Sequence, residues 1–315
     1  MSEKNASIKT LFEDLKISFK FAGKNIINFL LAMIGVILVS ILLLAAIAAV
    51  VFPLIFLTGG LNAFIQYVSI WIETYQTLPG IIALLSIFIF LSPLIAPFLV
   101  AFGALYGMGR EIVESEGTTA EGVFSWYSKK FLSLAGGGLI QFFIIVTPIA
   151  IIAGLLAPYG LFIGFGPGEL GLAAMVLAVL LIYLGFMSGL LSMVFPAIID
   201  GNSVIDSLKI SLRLSTKYFD RIFSTWFAYL GIFGALMAPI VIPPILAFPA
   251  FDFQVLAWLG IYSSVVGIFT ALVFFPAVVI GMSRIYMILV SEHIDEGPES
   301  SDEIFEDTAS NDVSL

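Results

Sequence analysis

Six long apolar segments dominate this sequence and determine the class of fold that it can adopt. They cover roughly residues 28–57, 80–108, 132–157, 171–199, 222–248 and 255–282. A helix that spans a bilayer needs about 20 predominantly apolar residues, and each segment is long enough to supply them. Only 11% of the 315 residues are charged, whereas a soluble domain carries about 25%. The sequence therefore predicts an all-α integral membrane protein with six transmembrane helices.

The basic residues predict how these six spans are oriented. All 13 Lys and Arg residues precede the first span, follow the sixth, or lie between the second and third or the fourth and fifth spans. The remaining connections, near residues 58–79, 158–170 and 249–254, contain none. Loops rich in Lys and Arg stay in the cytoplasm. We therefore expect a multi-pass protein of the cell membrane with both termini in the cytoplasm.

The acidic character of the chain comes from its C-terminal tail. Residues 291–315 contain nine carboxylates and no Lys or Arg, although the whole chain has a net charge of −9. The remaining 13 acidic residues balance the 13 basic ones. A polar, acidic segment without apolar periodicity does not form a packed core. We thus expect a six-span membrane domain over residues 1–290 and a disordered cytoplasmic tail over residues 291–315.

An internal repeat precedes the first and the fifth span. Residues 10–24 align without a gap with residues 203–217, and both copies contain the tetrapeptide Leu-Lys-Ile-Ser. A hydroxyl and a carboxylate three residues apart, Thr10 with Glu13 and Ser203 with Asp206, predict a capped helix start in each copy. Thr118 and Glu121 repeat the spacing in a weaker third copy. The pattern predicts three repeats of a cytoplasmic amphipathic helix, the first over residues 8–24, plus two spans.

The run DGNSVIDSLKISLRLSTKYF at residues 200–219, which enters a span, resembles a known family. It is similar to the six-span membrane domain fused to some glycerophosphodiester phosphodiesterases, and to stand-alone prokaryotic relatives of unknown function. The resemblance implies a six-span body. It does not imply the phosphodiesterase activity, because that catalytic domain is a soluble α/β barrel with metal-binding Glu, Asp and His residues. This chain has a single histidine, His293, and no such domain.

Residues for catalysis and metal binding are scarce in this sequence. It has no cysteine, no His-Glu-x-x-His pair and no Gly-x-Ser-x-Gly elbow. The span interiors contain no clear ionisable residue, and such residues usually mark proton and ion pathways. Gln141 is the main interior amide, for which we expect an interhelical hydrogen bond. We therefore predict no catalytic site, no metal site and no cofactor.

Cations repeating every four residues form the best candidate site. They are Lys16, Lys20, Lys24, Lys209, Arg213, Lys217 and Arg221. Basic side chains near a membrane surface attract anionic lipid headgroups, although the same residues also serve to set the orientation. We expect a non-enzymatic protein of membrane organisation, or a subunit that binds a membrane protein partner, with no nucleic-acid partner. The alternatives are a transporter or channel for a small or lipidic solute and, third, a membrane-embedded enzyme.

Overall fold

The computed structural model describes residues 7–57, 59–77, 80–156, 167–247 and 253–295, and these residues form helices and short turns without any strand. The helices are α1 (Ile8–Lys24), α2 (Ile26–Leu57), α3 (Gly60–Thr77), α4 (Gly80–Ser115), α5 (Ala120–Lys129), α6 (Phe131–Leu156), α7 (Pro167–Leu190), α8 (Val194–Ile199), α9 (Val204–Lys217), α10 (Phe219–Ala247), α11 (Phe253–Phe269) and α12 (Phe275–Asp295).

Six helical segments of the described chain are long and apolar enough to cross a membrane, which confirms the predicted all-helical chain with six candidate spans. They are Ile26–Leu57, Leu91–Ser115, Phe131–Ile152, Met175–Ile199, Phe219–Ile242 and Ala257–Ser291. The sixth extends beyond its predicted end at residue 282, because α12 continues to Asp295. Residues 291–295, predicted as the start of a disordered tail, are therefore helical, and residues 296–315 lie outside the described part of the chain.

The fourth and sixth spans are not continuous α-helices. A turn over residues 191–193 separates α7 from α8. In the sixth span a π-helix, Thr270–Phe274, joins α11 to α12. Pro276 lies two residues after its end, and a proline cannot donate the backbone hydrogen bond of a regular α-helix. The turn in the fourth span leaves backbone groups that neighbouring helices satisfy.

Three short helices meet the following span through the same kind of junction. Asn25 separates α1 from α2, Lys130 separates α5 from α6, and Tyr218 separates α9 from α10. In each case one residue leaves the helical conformation, and its amide still donates to the carbonyl four residues earlier. The chain thus turns sharply without leaving this amide unpaired. We call the end of the bundle where these three junctions lie the basic end.

The second and sixth spans occupy the centre of the bundle. Half of the apolar window of each is buried, against 11% for the first and fifth spans. Met108 of α4, Ile198 of α8 and Met282 of α12 are fully buried and belong to one hydrophobic cluster. The first and fifth spans leave large apolar side chains exposed along their length, which fits contact with lipid chains.

Candidate functional site

Six of the seven predicted cations lie exposed on two helices at the basic end. Lys16, Lys20 and Lys24 extend from α1, and Lys209, Arg213 and Lys217 extend from α9. The opposite side of each helix packs against the bundle. Its buried residues are Asp14, Ser18 and Ala22 in α1, and Ser207, Ser211, Leu214 and Ser215 in α9. Because residues four apart share a face of a helix, each trio of cations forms one outward row.

Large apolar side chains are exposed beside these cations. Ile8 and Phe12 of α1 are 76% and 66% exposed. On α9, Ile205 and Leu212 are 63% and 42% exposed. A helix in water hides such residues, whereas a helix in the membrane interface sets them against the acyl boundary and keeps its cations at headgroup level. The surface of α1 and α9 has the composition of an interfacial helix.

Arg221, the seventh predicted cation, does not belong to this exposed row. It is only 4% exposed, and its Nη2 lies 2.8 Å from Oδ2 of Asp14. The prediction was wrong because it extended the four-residue spacing from Lys217 across Tyr218. A new helix begins after Tyr218, so Arg221 continues no face of α9. We therefore remove Arg221 from the lipid-contact residues.

Asp14 joins the first short helix to the fifth and sixth spans. Its carboxylate accepts hydrogen bonds from Arg221 of α10 and from Arg284 of α12. Burial raises the pKa of the Asp14 carboxyl above its ordinary value, and the two guanidinium groups offset part of this rise. A protonated Asp14 would leave two positive charges facing each other in a buried site, so we expect the carboxylate to be ionised at neutral pH.

A second charged cluster joins the second, fourth and sixth spans. Arg110 of α4 donates to Asp200, at the end of α8, across 2.7 Å and to Glu114 across 2.8 Å. Tyr286 of α12 donates to the same Asp200 carboxylate across 3.2 Å. Asp200 therefore holds three spans together at the basic end and is not a simple solvated carboxylate.

Serine side chains of α9 satisfy the interrupted fourth span. Ser211 Oγ donates to the Leu190 carbonyl across 2.7 Å and accepts from the Met193 amide across 3.3 Å. Ser215 Oγ donates to the Leu190 carbonyl across 3.1 Å. From α6, Gln141 donates to the Leu191 carbonyl across 3.2 Å, which confirms the expected interhelical hydrogen bond. Side chains of α9 and α6 thus satisfy the backbone groups at this interruption.

A cavity of about 200 Å³ lies at the basic end between α9, α12 and the turn at Asp200. Arg213 and Lys217, two of the exposed cations, line it together with Tyr218 and Asn202. The hydroxyl of Tyr218 is buried and has no hydrogen-bond partner among the described residues. The structure therefore brings two of the predicted site residues to one concave site and leaves the α1 lysines outside its lining.

The residues described here offer no cluster of three His, Asp or Glu side chains that could hold a metal ion. The basic end contains groups for charge pairing and hydrogen bonding. Its parts are the exposed cations, the two arginine–carboxylate clusters and the cavity.

The prediction from sequence missed both carboxylate clusters, although a signal for part of them exists. The octapeptides PAIIDGNS, at residues 196–203, and PAVVIGMS, at residues 276–283, share four residues at equivalent positions. The first octapeptide contains Asp200, and the second directly precedes Arg284. The tetrapeptides GMGR, at residues 107–110, and GMSR, at residues 281–284, likewise place Arg110 and Arg284 at equivalent positions. Comparing the even-numbered spans with one another would have singled out these residues.

Comparisons with protein-family models, curated proteins and solved structures find no match to this chain. The resemblance to the membrane domain of glycerophosphodiester phosphodiesterases therefore remains an expectation from the sequence.

Proposed function

We propose that this chain is a non-enzymatic multi-pass protein of the cell membrane whose basic helices α1 and α9 hold anionic lipid headgroups at the cytoplasmic surface. Its role would be in membrane organisation or as the subunit that binds a membrane protein partner. The observation that carries the proposal is the shared surface of α1 and α9, where exposed cations stand beside exposed large apolar side chains. Lipid headgroups and the acyl boundary together match both components.

The division between arginines and lysines supports the same function. Arg110, Arg221 and Arg284 are engaged with acidic groups of the bundle. Lys16, Lys20 and Lys209 are instead exposed on the outer faces of α1 and α9. The arginine contacts thus belong to the bundle, whereas among the exposed lysines Lys24 pairs with Glu116 across 3.5 Å at the surface. Setting the orientation of the spans needs only positive charge, not a shared face with apolar neighbours.

The repeat belongs to this proposal as its structural basis. Counted back from the junction residues, Ala22 and Ser18 precede Asn25 by three and seven residues, and Ser215 and Ser211 precede Tyr218 by the same intervals. All four are buried. In α5, Tyr127 and Val123 are buried at the same intervals before Lys130. These matching positions support three parallel units, each a short amphipathic helix followed by two spans.

Lipid composition around the reconstituted protein tests the proposed function. In nanodiscs made from a mixture of zwitterionic and anionic phospholipid, the wild-type chain should enrich the anionic lipid. A variant with Lys16, Lys20, Lys24, Lys209, Lys217 and Arg213 all changed to Gln should weaken this enrichment by about tenfold or more, since each cation contributes about 1 kcal/mol near an anionic surface.

The matched control keeps every positive charge. It replaces the five lysines by Arg and contains Arg213→Lys. It should enrich anionic lipid as the wild type does. Equal enrichment by the six-Gln variant, with an unchanged thermal unfolding profile, would contradict the proposed function.

The orientation is tested with single cysteines, because the natural sequence has none. A cysteine in place of Lys20 should react with a membrane-impermeant maleimide only after intact cells are opened. A cysteine in place of Gly160, in the loop without basic residues, should react in intact cells. The reverse pattern would place the basic end outside.

A transporter is the second candidate, and one observation favours it. The interruption after α7 and the π-helix before α12 are features that many secondary transporters use at their substrate sites. Ser211, Ser215 and Gln141 fill the first of these sites in this chain. Solute flux into liposomes that depends on Gln141 would favour transport over membrane organisation.

A further inference from the structure

The cavity at the basic end has the size of a headgroup site. Its volume of about 200 Å³ falls below the roughly 300–1,000 Å³ of pockets that enclose whole drug-sized ligands. It lies beside Tyr218, the residue immediately before the fifth span begins at Phe219. A cavity at the start of a span lies at the depth of lipid headgroups. Its occupant must therefore be small and available at the membrane surface.

Two residues of the cavity lining recognise phosphate. Arg213 offers a planar fork of N–H donors and Lys217 a compact ammonium, and both bind phosphate oxygens well. Tyr218 also lines the cavity, and the centroid of its ring lies 5.4 Å from Nζ of Lys217.

The acidic residue that lines the cavity does not make it favour a cationic ligand. Asp200 lines the cavity, but its carboxylate already accepts from Arg110 and Tyr286. This carboxylate is therefore committed to holding the spans together. The cavity accordingly favours an anionic ligand over an amine.

The cavity lining also contains apolar residues. They are Ile210 and Leu214 of α9 and Val290 of α12. A free inorganic anion gains nothing from these side chains. The glycerol backbone and first methylene groups of a phospholipid would bury apolar surface against them. Phosphate donors and apolar side chains in one cavity match the two halves of a phospholipid at the interface.

We propose that this cavity is a specific site for the phosphate group of one membrane phospholipid, bound by Arg213 and Lys217, with its glycerol end against Val290. This site rests on the proposed function and deepens it. It adds one saturable lipid position to the general attraction between anionic lipid and the α1 lysines.

Titration with a soluble lipid tests the site. The full-length protein in detergent is titrated with short-chain phosphatidylglycerol by calorimetry, in a buffer free of phosphate and sulfate. One lipid should bind per chain. Arg213→Gln with Lys217→Gln should weaken this binding by about tenfold or more.

A charge-neutral variant separates the cavity from surface charge. Val290→Phe fills the cavity and keeps every cation, so it should abolish the stoichiometric binding. Val290→Ile, the matched control, should bind as the wild type does. Circular dichroism and the melting temperature show that each variant remains folded, and the anionic enrichment of Val290→Phe in nanodiscs should stay close to that of the wild type.

Several outcomes would overturn the site and leave the proposed function standing. Substituting Lys16, Lys20 and Lys24 by Gln should change the lipid affinity less than twofold. A loss of affinity equal to that of the variant with Arg213→Gln and Lys217→Gln would indicate diffuse attraction and no cavity site. Inorganic phosphate that binds as tightly as the lipid would assign the site to a soluble phosphate compound. Absence of stoichiometric lipid binding by the wild type also overturns it. Failure of the proposed function itself appears separately, as unchanged enrichment by the six-Gln variant in nanodiscs.

Discussion

Arginine and lysine have different positions at the basic end of this protein. Arg110, Arg221 and Arg284 lie in or at the edge of the bundle and hold the carboxylates of Asp14 and Asp200. The guanidinium group suits this environment because it is planar, weakly hydrated and rich in directional donors. The lysines of α1 and α9 are exposed, as expected for strongly hydrated ammonium groups. Arg213 differs from the other arginines because it lines the cavity.

The Asp14 cluster gives a prediction at the scale of one residue. Asp14→Asn removes the negative charge between Arg221 and Arg284 and leaves two cations in a largely buried site. Breaking a buried ion pair from one side costs about 3–5 kcal/mol. We expect a large loss of unfolding free energy in a denaturant titration of the detergent-solubilised protein.

The neighbouring acid provides the control for this experiment. Glu13→Gln changes an exposed carboxylate on the same turn of α1, and we expect its effect to stay within about 0.5 kcal/mol. Similar stabilities of the two variants would show that the Asp14 cluster contributes nothing beyond surface charge.

At the scale of helices, the interruption of the fourth span explains why α9 carries buried serines. An apolar residue at Ser211 or Ser215 would pack equally well against α7, but it would leave the carbonyl of Leu190 without these donors. Unsatisfied backbone groups are expensive where no water reaches them. The serine side chains therefore allow a broken span and a surface helix to pack together.

Three serines of α9 give a prediction with an internal control. Ser211→Ala should lower the unfolding free energy by about 1–3 kcal/mol, because the Met193 amide loses its acceptor. Ser215→Ala should cost less, because the Leu190 carbonyl keeps the hydrogen bond from Ser211. Ser207 is also fully buried, but its hydroxyl has no hydrogen-bond partner among the described residues. Ser207→Ala should be neutral or slightly stabilising in the same denaturant titration. A loss at Ser207 as large as at Ser211 would contradict the role assigned to these hydrogen bonds.

The helix starts show how precisely a local sequence pattern predicts the N-cap residue. Ser203 caps α9, and its side chain accepts from the Asp206 amide as the capping pattern predicts. The first copy behaves differently, because Ser7 is the N-cap of α1 and Thr10 is its third residue. In the third copy Thr119 is the N-cap, while the Thr118 hydroxyl donates to Glu111 of α4. A capping pattern thus locates a helix start to within one turn, and competing partners decide the final residue.

The whole molecule is organised around the second and sixth spans, and the ion pair between Asp14 and Arg284 joins α1 to the sixth span. Hydropathy alone predicted the six spans, because the length and composition of a membrane helix are local properties. The ion pair between Asp14 and Arg221 joins residues 207 positions apart, and no local pattern specifies such a pairing. Because a local pattern does not specify distant contacts, the four-residue spacing grouped Arg221 with the lysines. The cavity beside α9 also depends on distant contacts and could not be predicted from the sequence.

Native mass spectrometry of the protein extracted gently from its own membrane, with every bound molecule identified, tests the central claim most directly. The account predicts anionic phospholipid retained by the wild-type chain, and its loss from the variant with Gln at the six exposed cations of α1 and α9. A wild-type protein that retains no lipid, or that retains one non-lipid solute, would contradict the proposed headgroup contact and favour transport.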